Sequence, residues 1–310
     1  VSGLNRTQNK QEEVMVKTQE KPQVELDERI ICLLAGESGS GKTFFIANLK
    51  DAIIYDSDLG GGSAYLKARI ERNGSEREEV TSYFDVLNDI KKRVAEKRLK
   101  KNVVIDHATN LHQDAILRYN PSGEADFGRA GNRGTQDWRR IRALVKTLDC
   151  NLFVVAHTKG EWVEQKEVGK TADAAKNIEG DMQIVLYLKR PGGPGSKMQP
   201  TTEVPSTAQV VKWRRDPEDP RGMVPLTFPF TMQTFLSIAG KGMERELKNV
   251  ELATAEMVDA AKKCVTDNKI DEEVLAKWFK KIGASDFDTA SKEQVQKFIE
   301  YYKTKSTIPA

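Results

Sequence analysis

The stretch Gly36-Glu37-Ser38-Gly39-Ser40-Gly41-Lys42-Thr43 constrains this chain more than any other. It fits G-x-x-x-x-G-K-[ST], a loop whose backbone N–H groups curl around phosphate oxygens. Its surroundings fit as well. Ile30 to Ala35 is a short apolar run of buried-strand type, and Phe44 to Leu49 continues as a helix. Strand, loop and helix in that order aim a helix N-terminus at the phosphates. Gly36, Glu37, Ser38, Gly39, Ser40, Gly41, Lys42 and Thr43 are therefore the expected nucleotide contacts. Lys42 is placed to reach the β- and γ-phosphates, and Thr43 to hold Mg²⁺ through its hydroxyl. ATP and Mg²⁺ are the expected ligands.

Composition bounds the rest. The 310 residues suit one large domain and a small one. No apolar run approaches the ~18–20 residues of a membrane span, and no signal-peptide core is expected. Cys32, Cys150 and Cys264 lie far apart, so free thiols and a cytoplasmic setting are expected. The net charge of +3 is too small to announce nucleic-acid binding, so any basic patch is local.

Residues 1–29 are polar and read as a flexible arm. Ala52 to Asp56 is a second strand, followed by Ser57, Asp58 and three glycines. Ligands in open α/β sheets bind at the carboxyl edge, where Asp58 is placed to orient or deprotonate water. The plain alternative makes Asp56 and Asp58 turn residues. Glu78 to Lys101 has helical spacing and a basic end. Asn102 to Asp106 is a short apolar strand ending in an acid, the pattern that holds Mg²⁺ after a phosphate loop. Asn110 to Gly134 reads as a long polar loop and Thr135 to Leu148 as an amphipathic helix. Asn151 to His157 is a buried strand whose end places His157 to sense the γ-phosphate. Thr158 to Gly180 reads as a second long polar loop, before a strand at Asp181 to Leu188. Lys212 and Arg214 share a face of a strand over residues 208–215. Pro225 to Ile238 looks like a closing hairpin, 241–253 like a linker helix, and 254–305 like three short amphipathic helices. Ser291 opens the last with Ser-x-x-Gln capping-box spacing.

Taken together, residues of about 30–240 resemble the RecA-like P-loop ATPases of phages, the branch associated with single-strand annealing and recombination. The resemblance rests on the phosphate loop, the Asp-rich second strand with its glycines, the Val103–Asp106 strand, the strand ending in His157, and Lys212-Trp213-Arg214. It implies an α/β RecA-like P-loop NTPase core with a mostly parallel sheet, plus a small C-terminal α-helical domain like those of phage annealing proteins. It also implies that Asp58 activates water and that His157 couples nucleotide to DNA. Lys212 and Arg214 would reach a neighbouring subunit's nucleotide. The two loops flanking the His157 strand would bind single-stranded DNA, with Arg129, Arg133, Lys159, Lys166 and Lys170 as the contacting cations. The implied partners are single-stranded DNA, further copies in a filament or ring, and a single-strand-binding protein at the C-terminal helices, with no membrane. If the chain is phage-encoded, its setting is the cytoplasm of a bacterial host.

Three function classes compete. One is a DNA-dependent ATPase that anneals or pairs strands. Another is a P-loop ATPase that loads or regulates another DNA-processing machine, such as a transposase or helicase. The third, a small-molecule kinase, is disfavoured because the sequence shows no acceptor pocket or arginine-rich lid and because that reading leaves the C-terminal helices unexplained.

Overall fold

A computed structural model describes residues 29–58, 64–163, 166–193, 196–201, 203–214, 225–239, 247 and 250–306. All but the last residue of the expected N-terminal arm, and most of the expected linker helix, lie outside these.

The core alternates strands and helices: β1 (Ile31–Gly36), α1 (Lys42–Ile46), β2 (Ala52–Asp56), α2 (Ala64–Arg72), β3 (Glu76–Glu79), α3 (Tyr83–Ala95), β4 (Asn102–Asp106), α4 (Ala108–Tyr119), α5 (Arg129–Thr147) and β5 (Asn151–Val163). It continues through β6 (Lys166–Asp173), α6 (Ile178–Asp181), β7 (Ile184–Lys189), β8 (Thr207–Trp213), β9 (Thr227–Pro229) and α7 (Met232–Ala239). The strand order is β3-β2-β4-β5-β1-β7-β8-β9, with β6 paired to β5. Pairs from β3 to β7 along this order are parallel, and β8 and β9 are antiparallel. The expected mostly parallel α/β sheet is thus present.

The central strands β1, β2 and β4 and the first half of β5 are buried on both faces, which is why they read as unbroken apolar runs. Alternate residues go to opposite layers. Leu33, Tyr55, Val103 and Val154 pack under Trp138 and Leu144. Leu34, Ile54, Val104 and Phe153 pack under Phe45 and Phe235. A one-residue register slip would exchange the two layers.

Four readings of the sequence are corrected. The loop expected over 110–134 is mostly helix. Leu111 and Ala115 recur on one buried face of α4, and Ala130 and Gly134 lie on the buried face of α5. Gly134 is there for close approach, since a Cβ would stand 3.1 Å from that of Ala115. The loop expected over 158–180 is a β-hairpin followed by α6. β5 runs on past the sheet and pairs antiparallel with β6 from His157 opposite Asp173 outward. The closing hairpin at 225–238 is instead β9 followed by α7, because Met232, Phe235 and Ala239 have helical spacing and the Thr231 hydroxyl caps the Thr234 N–H at 3.0 Å. The helix expected from Glu78 begins at Tyr83. Glu76 to Glu79 pair with β2, and Ser82 caps the helix through the Asp85 N–H.

Three further helices follow: α8 (Ala255–Asp267), α9 (Glu272–Ile282) and α10 (Lys292–Ser306). Ala261, Phe287, Val295 and Phe298 form their own buried cluster. Ser291 and Gln294 make the reciprocal capping pair, Gln294 N–H to Ser291 Oγ and Ser291 N–H to Gln294 Oε1. Arg140 of α5 holds Asp286 at 2.9 Å, joining this cluster to the core. Between residues 250 and 253 no helix forms, and Leu252 bridges to Ser291.

Candidate active site

The carboxyl ends of β1, β2, β4 and β5 converge on one edge of the sheet. β1 runs straight into the phosphate loop. Gly36 must be glycine because a Cβ would come within 2.7 Å of the Leu188 carbonyl oxygen. Gly41 has φ +83°, a left-handed conformation that favours glycine, and it turns the loop into α1. Ser206 Oγ donates to the Ser40 carbonyl at 2.9 Å, and the Arg190 guanidinium donates to the Ser38 carbonyl. The loop is thus braced through two of its carbonyls.

Lys42 is only 3% exposed, and its Nζ donates to the Gly36 and Glu37 carbonyls at 2.8 Å each. Burial lowers its pKa to about 8, with nearby Asp106 opposing that drop. A buried ammonium held by neutral carbonyls fits an incoming phosphate.

Asp106 ends β4 directly opposite Asp56 of β2. It is 2% exposed, and its Oδ1 has no hydrogen-bond partner. Burial first, then the Asp56 charge, pushes its pKa up to about 7, while the nearby Thr43 hydroxyl pulls the other way. An orphaned carboxylate oxygen beside a threonine hydroxyl is the donor set of a hard divalent cation. Thr43 and Asp106 are thus the residues that would hold Mg²⁺. Asp56 is clamped instead by Arg77, Nη2 to Oδ2 at 2.5 Å. Asp58 is exposed at the same edge and donates its N–H to Asp56 Oδ1 at 2.8 Å. Its charge is felt at Asp106, His107 and His157.

His157 stands where β5 leaves the sheet and becomes the hairpin. The Gly36 carbonyl lies beside its ring, its N–H donates to Thr109 Oγ1 at 2.9 Å, and the ring lies 4.7 Å from that of His107. His107 Nε2 is 3.5 Å from Asp106 Oδ1, and its pKa is pressed down to about 4 by burial and then by His157. One imidazole therefore touches the phosphate loop while its backbone opens the hairpin.

The remaining expected residues divide. Lys170 of β6 bonds Glu37 of the loop at 2.5 Å, and Lys159 of β5 pairs with Asp173 at 2.8 Å. Lys166 begins β6. Arg129 begins α5, and Arg133, one turn on, lies over the Tyr119 ring at 5.5 Å. Lys212 and Arg214 are not brought to this chain's own phosphate loop. Lys212 Nζ donates to the Glu179 and Gly180 carbonyls at 2.8 Å each, and Arg214 stands exposed one residue beyond β8. They are therefore not a free two-cation strand face.

Two residues escaped the sequence reading. Arg190 follows β7, next to β1 in the sheet, and its place just past an apolar run was the available signal. Glu179 accepts from the Thr171 hydroxyl, the Ala172 N–H and the Tyr187 hydroxyl with one oxygen, fastening the hairpin's return strand to α6 and β7. Nothing in its sequence surroundings marked it.

No curated protein matches the chain. The family model described as an AAA domain matches residues 28–206, from three positions before β1 to the residue before β8. That span holds the phosphate loop, Asp58, Asp106, His157 and the hairpin. A glycine-built loop, an orphaned acid at the end of β4 and a family match over more than half the chain's length agree: the chain belongs to the AAA domain family of P-loop NTPases.

Proposed function

We propose that this chain hydrolyses ATP, binds single-stranded DNA as a homo-oligomer, and promotes annealing or strand pairing, as its resemblance to phage recombination ATPases implies. The observation that carries the reading is His157. Its ring lies beside the Gly36 carbonyl of the phosphate loop, and its backbone starts the hairpin that bears Lys159, Lys166 and Lys170. A shift of the loop on filling therefore has a direct route to the hairpin.

In this reading Lys42 and the loop amides of residues 36–43 hold the phosphates, while Thr43 and Asp106 hold Mg²⁺. The ion, when bound, offsets phosphate charge. Asp58 takes the proton of the attacking water, and its exposure at the strand edge leaves it free to do so. Arg214 is the cation offered to a neighbouring copy, while Lys212 braces α6. The half-exposed apolar residues of α9, Leu275 and Phe279, are the meeting place for a single-strand-binding protein.

The test is annealing of two complementary labelled oligonucleotides, with and without protein and ATP–Mg²⁺, alongside anisotropy of one strand alone. Binding of the single strand and faster annealing are expected. Affinity without faster annealing would favour the loading of another machine. No affinity for single strands overturns the proposal.

A further inference from the structure

Between the start of α5, the hairpin and α6 lies a cavity of about 690 Å³. Its floor is small and apolar, with Ala172, Ala174, Ala175 and Ile178 buried there. Its rim is polar, with Asn132, Lys159 and Lys176. His112 forms part of the wall. The Nδ1 of His112 is buried without a hydrogen-bond partner, and a Cβ on Gly134 would stand 3.2 Å from it. Burial lowers the pKa of this ring, with Lys159 adding to the effect. With the proton assigned to Nε2, the buried Nδ1 is a bare acceptor and Nε2 is the donor left to meet a ligand.

Phe127 belongs to the same wall and is 94% exposed, the most exposed large apolar side chain among the described residues. Its backbone sits at φ +53°, rare outside glycine and asparagine. The turn is fixed by Asp126, whose carboxylate accepts the Gly128 N–H at 2.9 Å and the Ala130 N–H at 2.6 Å. A phenyl ring on a braced turn loses little entropy when something stacks on it.

A flat aromatic surface, an apolar floor, a neutral imidazole and cations at the rim call for one ligand chemistry: a planar heteroaromatic with hydrogen-bonding edges and a phosphate attached. We infer that this cavity receives a nucleobase, stacked on Phe127 and met at its edge by His112, with Lys159 and Lys176 beside its phosphate. The inference rests on the DNA-binding reading for its source, a single strand; a free mononucleotide has the same chemistry. Stacking of this kind tolerates any base, because each has a π-face.

The test compares an oligothymidylate with an abasic strand of equal length, which keeps the phosphates and removes the bases. The protein should bind the base-bearing strand more tightly by roughly 5- to 150-fold, the effect of one stacked base. Phe127→Ala should bring the two affinities together without weakening abasic binding, and Phe127→Trp should keep the preference. Equal affinities in the unaltered protein, or an undiminished preference in Phe127→Ala, overturn the inference. If neither strand binds, the DNA reading fails by itself. Free thymidine monophosphate, added to Lys42→Ala protein, then decides the cavity by hydrogen exchange over residues 126–134 and 172–180. Protection there keeps the nucleobase site, and its absence overturns it.

Discussion

Lys170 Nζ lies 2.5 Å from Glu37 Oε1, joining the hairpin stem to the phosphate loop across 133 positions of sequence. The Lys170 hydrogen bond, and then its charge, hold the Glu37 carboxyl below its usual range. Both side chains are about half exposed, so the pair is worth at most about 1 kcal/mol. That suffices for a bias on the hairpin, not for its folding. Hydrogen exchange over residues 157–163 and 166–173, with and without nucleotide, should show nucleotide-dependent protection. Glu37→Lys and Lys170→Glu should each weaken it by up to about fivefold, and the double reversal should restore it. Failure of the double variant to recover would show that the pair carries no coupling.

Asp58 is expected to act in hydrolysis and not in binding. Asp58→Asn keeps size and removes the basic carboxylate. Nucleotide affinity should stay within about twofold, while turnover falls by roughly 10²-fold or more. Normal turnover in Asp58→Asn would move the base elsewhere, with Glu37 next in line.

Asp106 should make the metal-free protein sensitive to pH. Its folded pKa of about 7 lies above the ordinary 3.8. The folded state therefore holds this proton more tightly than the unfolded chain. Stability from this group is present below about pH 4 and is lost as pH rises toward about 7. His107, with its pKa lowered to about 4, works in the opposite sense below its ordinary 6.5. The comparison must therefore be made between variants. Measured by urea unfolding in chelator, the stability of the original protein relative to Asp106→Asn should decline from pH 4 to pH 7. A difference independent of pH would contradict this account of the buried acid.

Much of the site could be read from the sequence because each piece ends a strand buried on both faces. Such strands are unbroken apolar runs, and the first polar residue past each run lies at the ligand edge: Glu37, Asp56 with Asp58 two residues on, Asp106 and His157. The hairpin could not be read the same way. Past His157 its register is set by pairing with β6 and not by a core, so Lys159, Glu161 and Lys170 gave no apolar period to follow. The start of α5 was hidden by Gly131 and Gly134, residues that argue against helix unless a neighbour packs close. The role of Lys212 was invisible for another reason: the carbonyls it holds, 32 and 33 positions away, carry no side-chain signature.

The core depends on Trp138, fully buried on α5 with its indole N–H donating to Asp181 at 3.2 Å. Trp138→Ala should lower unfolding free energy by about 3–5 kcal/mol, read by denaturant unfolding. Trp138→Phe should cost less, since it keeps most of the packed volume. Equal losses in the two would assign the effect to the Asp181 hydrogen bond.

ATP turnover with Mg²⁺, in the presence and absence of single-stranded DNA and with Lys42→Ala as control, probes the proposed coupling of the phosphate loop to DNA through the hairpin. Turnover should rise with DNA in the unaltered protein. In Lys42→Ala it should fall by on the order of 10²–10³, as expected when a cation meeting transition-state charge is removed. Turnover that ignores DNA, or that survives the loss of Lys42, would contradict the account.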